Sequence, residues 1–163
     1  MVQSAGILVF RKLGSEPEVL LAHPGGPFWA KKDTWSIPKG ECETDEDLLV
    51  AAKREFQEET GLEIPVGKLL ELGAVKQSSS KTNHVWAVEG NPDTSTFKSN
   101  TFVMEWPPKS GQEQEFPESD RVAWFPLSKA TQKVYKNQVA FLERLAETLG
   151  VDLSGPPEQQ SLL

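Results

Sequence analysis

The sequence has 163 residues, enough for one ordinary globular domain and too few for two domains that each bury a core. Apolar residues make up 37% and charged residues 25%, which excludes a disordered tail, and the formal net charge of −7 disfavours a nucleic-acid polymer as partner. The lone cysteine, Cys42, excludes an internal disulfide, and because no leader-like or membrane-spanning apolar run occurs, the sequence predicts a cytoplasmic protein without membrane association.

The first predicted elements are a β-hairpin, a loop and a short strand. Two apolar runs at 4–10 and 18–23 flank a turn-like segment, a pattern typical of a hairpin. The Pro/Gly-rich residues 24–27 interrupt regular structure, so the aromatic rings just after them belong to a loop that either covers a site or packs on the sheet. A brief edge strand is predicted at 34–38, because its proline cannot donate to a central ladder.

A helix is predicted from about residue 45 to residue 60. Thr44 with Asp47 three residues later is similar to a capping box, and the acidic residues of this first turn favour a helix N-terminus. Gly61 fits the left-handed position that often ends a helix.

The second half of the chain alternates predicted strands with polar connections. Apolar runs predict strands at 69–75, 84–89, 101–106 and 121–125, with a hairpin loop at 76–81 and a surface loop at 107–117. An amphipathic helix is predicted before Gly150, and Ser128 is expected to cap a shorter helix ahead of it. The residues of the longer helix that recur at helical spacing are Val139, Leu142, Leu145, Ala146 and Leu149.

Strands on both sides of one central helix, followed by a closing helix, predict a mixed α+β or α/β sandwich. We expect a single domain over residues 1–150 and a flexible tail over residues 151–163, where Gly, Pro and Gln are frequent.

The helix carries three carboxylates on one face. At about 100° per residue, Glu55, Glu58 and Glu59 fall within an arc of roughly 100° beside the apolar stripe. Like charges at these spacings repel one another, so the face needs Lys53 and Arg54 as partners or oxygen-bound divalent cations. From the spacing alone, an ordinary solvated acidic face is the more common explanation, because charge clusters on helices are frequent.

A longer pattern surrounds these glutamates: Gly40, then Glu46, then Arg54-Glu55-Phe56-Gln57-Glu58-Glu59-Thr60-Gly61-Leu62. This pattern resembles the Nudix box of Nudix hydrolases, G-x5-E-x7-R-E-U-x-E-E-x-G-U, where U is a bulky apolar residue, and every specified position matches. The resemblance implies an α/β/α sandwich with a mixed central sheet and an enzyme that hydrolyses a diphosphate linkage.

The resemblance also implies a metal site in the box. Glu55, Glu58 and Glu59, with the carbonyl of Gly40, would bind one to three Mg²⁺ or Mn²⁺ ions. By the same resemblance Arg54 would orient a carboxylate. Glu46 would act through the loop or through Arg54 rather than as a direct metal ligand, or it is simply an acidic residue near a helix N-terminus.

The reaction that the resemblance implies is attack of a metal-activated water on phosphorus, with a carboxylate taking the proton. Nudix enzymes draw this base from the box, here Glu55, or from a loop outside it. Glu118 stands six residues before Trp124, which resembles the loop glutamate of the diadenosine tetraphosphate hydrolases, and it is preferred to Glu115 and Glu113.

The substrate implied by the resemblance is a small nucleotide: a nucleoside diphosphate linked to another moiety. The runs 24–29, 35–40 and 104–108 resemble a branch of predicted nucleoside triphosphate pyrophosphohydrolases, so NTPs, dNTPs or dinucleoside polyphosphates are expected. Lys39 is a candidate phosphate contact, and Phe28, Trp29 and Trp35 are candidates for stacking on a base or for packing. The alternative is a non-catalytic Nudix-fold module that binds nucleotides or regulates.

Overall fold

The structure is a computed structural model, and it describes residues 1–153. The strands of the described chain are β1 (Val2–Arg11), β2 (Glu18–Pro24), β3 (Lys39–Glu41), β4 (Leu70–Ser78), β5 (Lys81–Glu89), β6 (Thr101–Glu105), β7 (Glu113–Pro117) and β8 (Ser119–Pro126). The α-helices are α1 (Leu48–Thr60), α2 (Leu127–Lys133) and α3 (Val139–Leu149). The tail predicted at 151–163 lies outside the described residues from position 154 onward.

A mixed sheet forms the middle layer. Its strand order is β4-β5-β1-β2-β8, β3 pairs with β1, and β1 runs parallel to β5 but antiparallel to β2. Side chains alternate across β1, so Ile7 and Val9 pack with α1 whereas Leu8 and Phe10 pack on the side of α3. The predicted α/β/α sandwich with its mixed sheet, and the predicted hairpin of β1 and β2, are confirmed.

Three predicted segments differ in the structure. The hairpin loop predicted at 76–81 is shorter, because β4 extends to Ser78 and β5 begins at Lys81. Residues 34–38 form no strand, because they make only isolated bridges, between Trp35 and Val134 and between Ser36 and Ala22. The loop predicted at 107–117 ends in a strand, β7, which pairs with β6 in a separate two-stranded sheet. The sequence of β7, Glu-Gln-Glu-Phe-Pro, is polar and rich in poor strand formers, so only its pairing with β6 makes it a strand.

The predicted N-terminal caps of α1 and α2 differ from those in the structure. Helix α1 begins at Leu48, and its cap is Asp47, whose carboxylate accepts hydrogen bonds from the N–H groups of Leu49 and Val50 at 3.1 Å. Residues 44–46 are loop, since Asp45 has a positive φ of 65° that no helix permits. Ser128 lies inside α2 rather than capping it, and its N–H donates to the Glu16 carboxylate at 2.7 Å.

The closing helix α3 spans Val139–Leu149 and ends at Gly150 in the left-handed conformation, as the sequence predicts. Phe141, Leu142 and Leu145 are fully buried against the sheet. Within residues 1–153, none of the helices has both the length and the apolar character needed to cross a bilayer.

Candidate active site

Helix α1 is anchored by its apolar face, which brings its acidic face to the margin of the core. Ala51, Ala52 and Phe56 are fully buried against the sheet, and Leu62 after the helix is only 2% exposed. The helix ends at Gly61, whose φ of 66° is left-handed and whose missing Cβ avoids the backbone of residue 98. The apolar positions of the box are therefore core anchors.

Arg54 binds more than one carboxylate of the box. Its Nε and Nη2 donate to the two carboxylate oxygens of Glu46 at 2.8 and 2.9 Å, a bidentate pair. Its Nη1 donates to Glu55 at 2.8 Å and to Glu58 at 3.0 Å, and its Nη2 also reaches the Glu41 carbonyl. The structure thus places Glu46 in the loop before α1, in direct contact with Arg54.

The Arg54–Glu46 pair is a stable charge pair. The hydrogen bonds from Arg54, reinforced by the backbone N–H of Glu43, lower the pKa of Glu46 to about 2. The same pair is the largest cause that raises the pKa of the Arg54 guanidinium. Arg54 is consequently always charged. Because Glu46 accepts the bidentate pair of hydrogen bonds from Nε and Nη2, the positive charge of Arg54 only partly neutralises Glu55 and Glu58.

Gly40 lies directly against Glu55. It belongs to β3, which is held on β1 by the pairing of Gly40 with Ala5. A Cβ at position 40 would overlap the Glu55 carboxylate, so only glycine lets the backbone come this close. Strand β3 and the acidic face of α1 are therefore in contact at Gly40 and Glu55.

Glu55, Glu59 and Glu118 all have raised pKa values. Burial, followed by the charges of Glu55 and Glu118, raises the pKa of Glu59 to about 8, and Lys39 opposes this shift. Burial, with the charges of Glu58 and Glu118, also raises the pKa of Glu55 although Arg54 opposes it. Burial and the charge of Glu58 raise the pKa of Glu118. These four glutamates form one electrostatically coupled group.

Glu118 is tied to α1 by backbone hydrogen bonds. It connects β7 to β8, and its N–H donates to the carbonyl of Asn100 at 2.8 Å. The N–H of Asn100 in turn donates to the carbonyl of Glu58 at 2.8 Å, and the N–H of Gly25 donates to the carbonyl of Glu118 at 2.9 Å. The connection between β5 and β6 thus fixes Glu118 beside the end of α1.

The other two candidate loop acids face away from this group. Glu115 and Glu113 stand opposite Val103 and Glu105 in the β6–β7 pair, and Val103 is 57% exposed. Residues directly opposite share one face of a ladder, so both acids lie on this outer face. The inner face carries Phe102, which lies against Gly26.

A small polar cavity of about 150 Å³ opens beside the carboxylates. It brings Lys39 together with Glu59 and Glu118, and its wall includes Tyr135. Sequence reasoning missed Tyr135, because it stands between α2 and α3 with no motif around it, and only the tertiary fold brings it to the cavity. A larger cavity of about 550 Å³, at 61–66 and 91–96, contains none of the predicted catalytic or ligand residues.

Comparison with known proteins identifies this arrangement. The sequence profile of the NUDIX domain matches residues 2–145, nearly the whole chain. The chain belongs to the Nudix hydrolase family. Its members are hydrolases that generally use divalent metal ions.

Similar Nudix proteins span several named activities. Nudix hydrolase 7 of Arabidopsis thaliana is 30% identical over 115 residues, which are 66% of this chain and 39% of that protein. An RNA pyrophosphohydrolase of Stenotrophomonas maltophilia is 47% identical over 47 residues, 27% of this chain and 23% of the relative. The chain therefore matches well under half the length of either curated relative.

Solved Nudix structures share the fold at low identity. A Caenorhabditis elegans Ap4A hydrolase, solved as a binary complex, has a TM-score of 0.64 at 19% identity and covers 90% of this chain and 98% of its own. The NUDIX domain of Shewanella oneidensis NrtR, complexed with ADP ribose, has a TM-score of 0.64 at 17% identity and covers 91% and 88%.

The three aromatic residues predicted for base stacking have different environments in this Nudix domain. Trp35 is only 5% exposed, and its indole packs edge-on against His23 and Phe125, so its position favours core packing over stacking on a base. Phe28 is 56% exposed and meets Trp106 edge-on at 5.4 Å. Trp29 is half-buried, and stacking by Phe28 or Trp29 stays a prediction.

The residues present fit the divalent metal ions of the family. Within residues 1–153, no three acidic, imidazole or thiol groups converge closely enough to enclose an ion. Two of the box carboxylates, Glu55 and Glu58, are paired with Arg54. The donors nearby are carboxylate oxygens and the backbone of Gly40, which are hard oxygen ligands suited to Mg²⁺ and Mn²⁺. The four glutamates repel one another, and the positive charge of such a cation would offset this repulsion.

Proposed function

We propose that this protein is a Mg²⁺- or Mn²⁺-dependent pyrophosphohydrolase that cleaves the diphosphate linkage of a nucleoside diphosphate linked to another moiety. We propose NTPs, dNTPs or dinucleoside polyphosphates as substrates, and residues 1–150 as the single catalytic domain. The observation that carries the proposal is the convergence of Glu59 and Glu118, from two separate parts of the chain, on one polar cavity. Glu55, which lies against Gly40, and Glu58 are close enough for their charges to raise the pKa values of Glu59 and Glu118.

The box residues are the proposed holders of one to three ions. Glu55, Glu58 and Glu59, with the Gly40 carbonyl, are the ligands, and Arg54 orients the carboxylates through its hydrogen bonds to Glu55 and Glu58. When bound, such ions neutralise phosphate oxygens and lower the pKa of water. Glu46 positions Arg54 through the bidentate pair.

Glu118 is the proposed general base. Partial burial and the charge of Glu58 raise its pKa above that of a free glutamate, which makes it a stronger proton acceptor than a fully solvated carboxylate. Glu55, the alternative, also has a raised pKa, but Arg54 holds one of its oxygens. Glu118 lines the cavity, whereas Glu115 and Glu113 lie on the outer face of the hairpin.

The remaining substrate contacts are proposed from position and chemistry. Lys39 lines the cavity with Glu59 and Glu118, which suits a point charge that meets a phosphate oxygen. Phe28 and Trp29 stand on the loop that follows β2 and are the candidates for stacking on a base. The names of the similar proteins, Ap4A hydrolase and an ADP ribose complex, support a substrate with a nucleoside and a phosphate chain.

A nucleotide panel tests this proposal. The purified chain is incubated with NTPs, dNTPs, dinucleoside polyphosphates, ADP ribose and a 5′-triphosphorylated RNA oligonucleotide, each with Mg²⁺, with Mn²⁺ and with EDTA. Mass spectrometry identifies the products, and ¹⁸O-labelled water shows which phosphorus is attacked. We expect metal-dependent release of a nucleoside monophosphate from at least one small nucleotide.

The matched control is Glu113→Gln, which changes the charge of an acid on the outer face of the hairpin. Nucleotide binding without turnover, under every metal condition, would instead favour the non-catalytic binding module. Turnover of the RNA alone would move the substrate from small nucleotides to a polymer.

A further inference from the structure

Tyr135 lines the cavity of the site but has no part in the mechanism proposed above. It is the single tyrosine of the sequence and lies half-buried between α2 and α3. It shares the cavity wall with Lys39, Glu59 and Glu118. A polar aromatic residue at this position can contact a ligand bound in the cavity.

The segment that carries Tyr135 is hydrogen-bonded to the residues just before Lys39. The side chain of Gln138, only 1% exposed, accepts a hydrogen bond from the Ile37 N–H at 2.8 Å and donates to the Ser36 hydroxyl at 2.9 Å. The N–H of Gln138 donates to the carbonyl of Tyr135 at 2.9 Å. These hydrogen bonds place the segment with Tyr135 next to the residues that precede Lys39.

The loop after β2 supports the ring of Tyr135 from the other side. Trp29 meets the ring edge-on, with centroids 5.8 Å apart and planes at 79°. This loop is anchored by the fully buried His23, which is hydrogen-bonded to the Lys32 carbonyl and to the Asp120 carboxylate. Lys133 of the Tyr135 segment forms an ion pair with Asp33 at the end of the same loop. The ring is thus held in place before any ligand binds.

The cavity matches a phosphoryl group in size and chemistry. Pockets that enclose drug-sized ligands have about 300–1,000 Å³. At about 150 Å³ this cavity is too small for a nucleoside. Besides the two glutamates, Lys39 and Tyr135 form part of its wall, and an ammonium group and a phenol hydroxyl are donors suited to phosphate oxygens. Only burial raises the pKa of the Tyr135 phenol, so the hydroxyl keeps its proton and remains a donor.

We infer that Tyr135 is a substrate-binding residue for the phosphate chain: its hydroxyl donates a hydrogen bond to a phosphate oxygen held in the cavity beside Lys39. This inference rests on the proposed function and names the residue that selects for the phosphate part of the nucleotide. Besides being a candidate for stacking on a base, Trp29 then orients the Tyr135 ring.

Calorimetric titration with imidodiphosphate, a pyrophosphate analogue with a non-hydrolysable P–N–P linkage, tests the inference in the presence of Mg²⁺. Tyr135→Phe removes only the hydroxyl and keeps the ring against Trp29. Because a hydrogen bond to a charged group contributes about 1.5–3 kcal/mol, we expect the Kd to rise about tenfold or more. Tyr135→Leu, which also removes the ring, should weaken binding only slightly further.

Thr131→Val is the control, since it removes a hydroxyl of α2 that donates to the Ser128 carbonyl and does not line the cavity. Its Kd should equal that of the wild type. An unchanged Kd for Tyr135→Phe would overturn the inference, whether or not Tyr135→Leu binds less tightly. Turnover by the wild type is measured separately with the nucleotide panel, so a failure of the proposed function is seen there and not in this titration.

Discussion

Arg54 is hydrogen-bonded to three of the carboxylates of the box. It makes hydrogen bonds to Glu46, Glu55 and Glu58, and Glu46 occupies both Nε and Nη2. Three carboxylates around one guanidinium leave a net negative charge, which raises the pKa values of the neighbouring Glu59 and Glu118. The arrangement holds Glu55 and Glu58 in place while leaving the site attractive to cations.

Glu58→Gln tests the proposed metal role at the residue scale. The Glu58 side chain is 39% exposed and its ion pair with Arg54 is a surface one, so we expect the metal-free stability to change by less than about 1 kcal/mol. Hydrolysis should nearly disappear, because a neutral amide is a far poorer ligand for Mg²⁺ than a carboxylate. Thermal unfolding in EDTA and turnover in Mg²⁺ measure the two effects, and an active variant would refute the metal role.

Glu118→Gln tests the general base. We expect kcat to fall roughly 10²–10⁴-fold with a smaller change in KM, because the amide cannot accept the proton. The comparison variant is Glu115→Gln, three residues earlier in the chain and on the outer face of the hairpin, which should retain wild-type kinetics. If kcat of Glu118→Gln were unchanged, the role would pass to Glu55.

At the scale of elements, the structure shows which sequence signals are local. The apolar spacing of α3 and the left-handed glycines after α1 and α3 are local signals, and they predict these helices correctly. The start of α1 is not local, since Arg54, two turns along the helix, binds Glu46 and keeps it in the loop. Strand β7 has no apolar pattern of its own and depends on pairing with β6.

The same distinction applies to the candidate site. The box predicts the residues of α1 and Gly40 because its spacing lies within one loop and one helix. Glu118 could be ranked above Glu115 and Glu113 only by resemblance, and its place beside Glu58 depends on the backbone bonds through Asn100. Tyr135 carries no sequence signal at all, since its approach to Lys39 requires the buried Gln138.

Replacing the N-cap of α1 tests the corrected helix start. Asp47→Ala should lower the free energy of unfolding by about 1 kcal/mol, because the N–H groups of Leu49 and Val50 lose their acceptor. Thr44→Ala is the matched control and should change it by less than about 0.5 kcal/mol, as expected for an exposed loop residue. Urea unfolding measures both, and a larger loss for Thr44→Ala would restore the predicted capping box.

At the scale of the whole molecule, the acidic site opposes folding unless cations are bound. Glu59 has a pKa raised to about 8 in the folded protein, against 4.5 for an unperturbed glutamate. The unfolded chain therefore loses this proton at lower pH than the folded one does. Stability from this group is complete below about pH 4.5 and declines as pH rises through 8, at up to ~1.4 kcal/mol per unit of pKa difference.

Glu59→Gln should remove this pH dependence, because the amide has no proton to lose on folding or unfolding. In EDTA, the wild type should be less stable at pH 8.5 than at pH 6, whereas the stability of the variant should fall much less between the two values, since Glu55 and Glu118 keep their smaller contributions. Mg²⁺ should stabilise the wild type, by about 2.7 kcal/mol at one hundred times its Kd, and stabilise the variant much less. Urea titrations at both pH values, with and without Mg²⁺, measure these differences. Equal responses of the two proteins to pH and to Mg²⁺ would mean that Glu59 is not buried among like charges and that α1 presents an ordinary solvated acidic face.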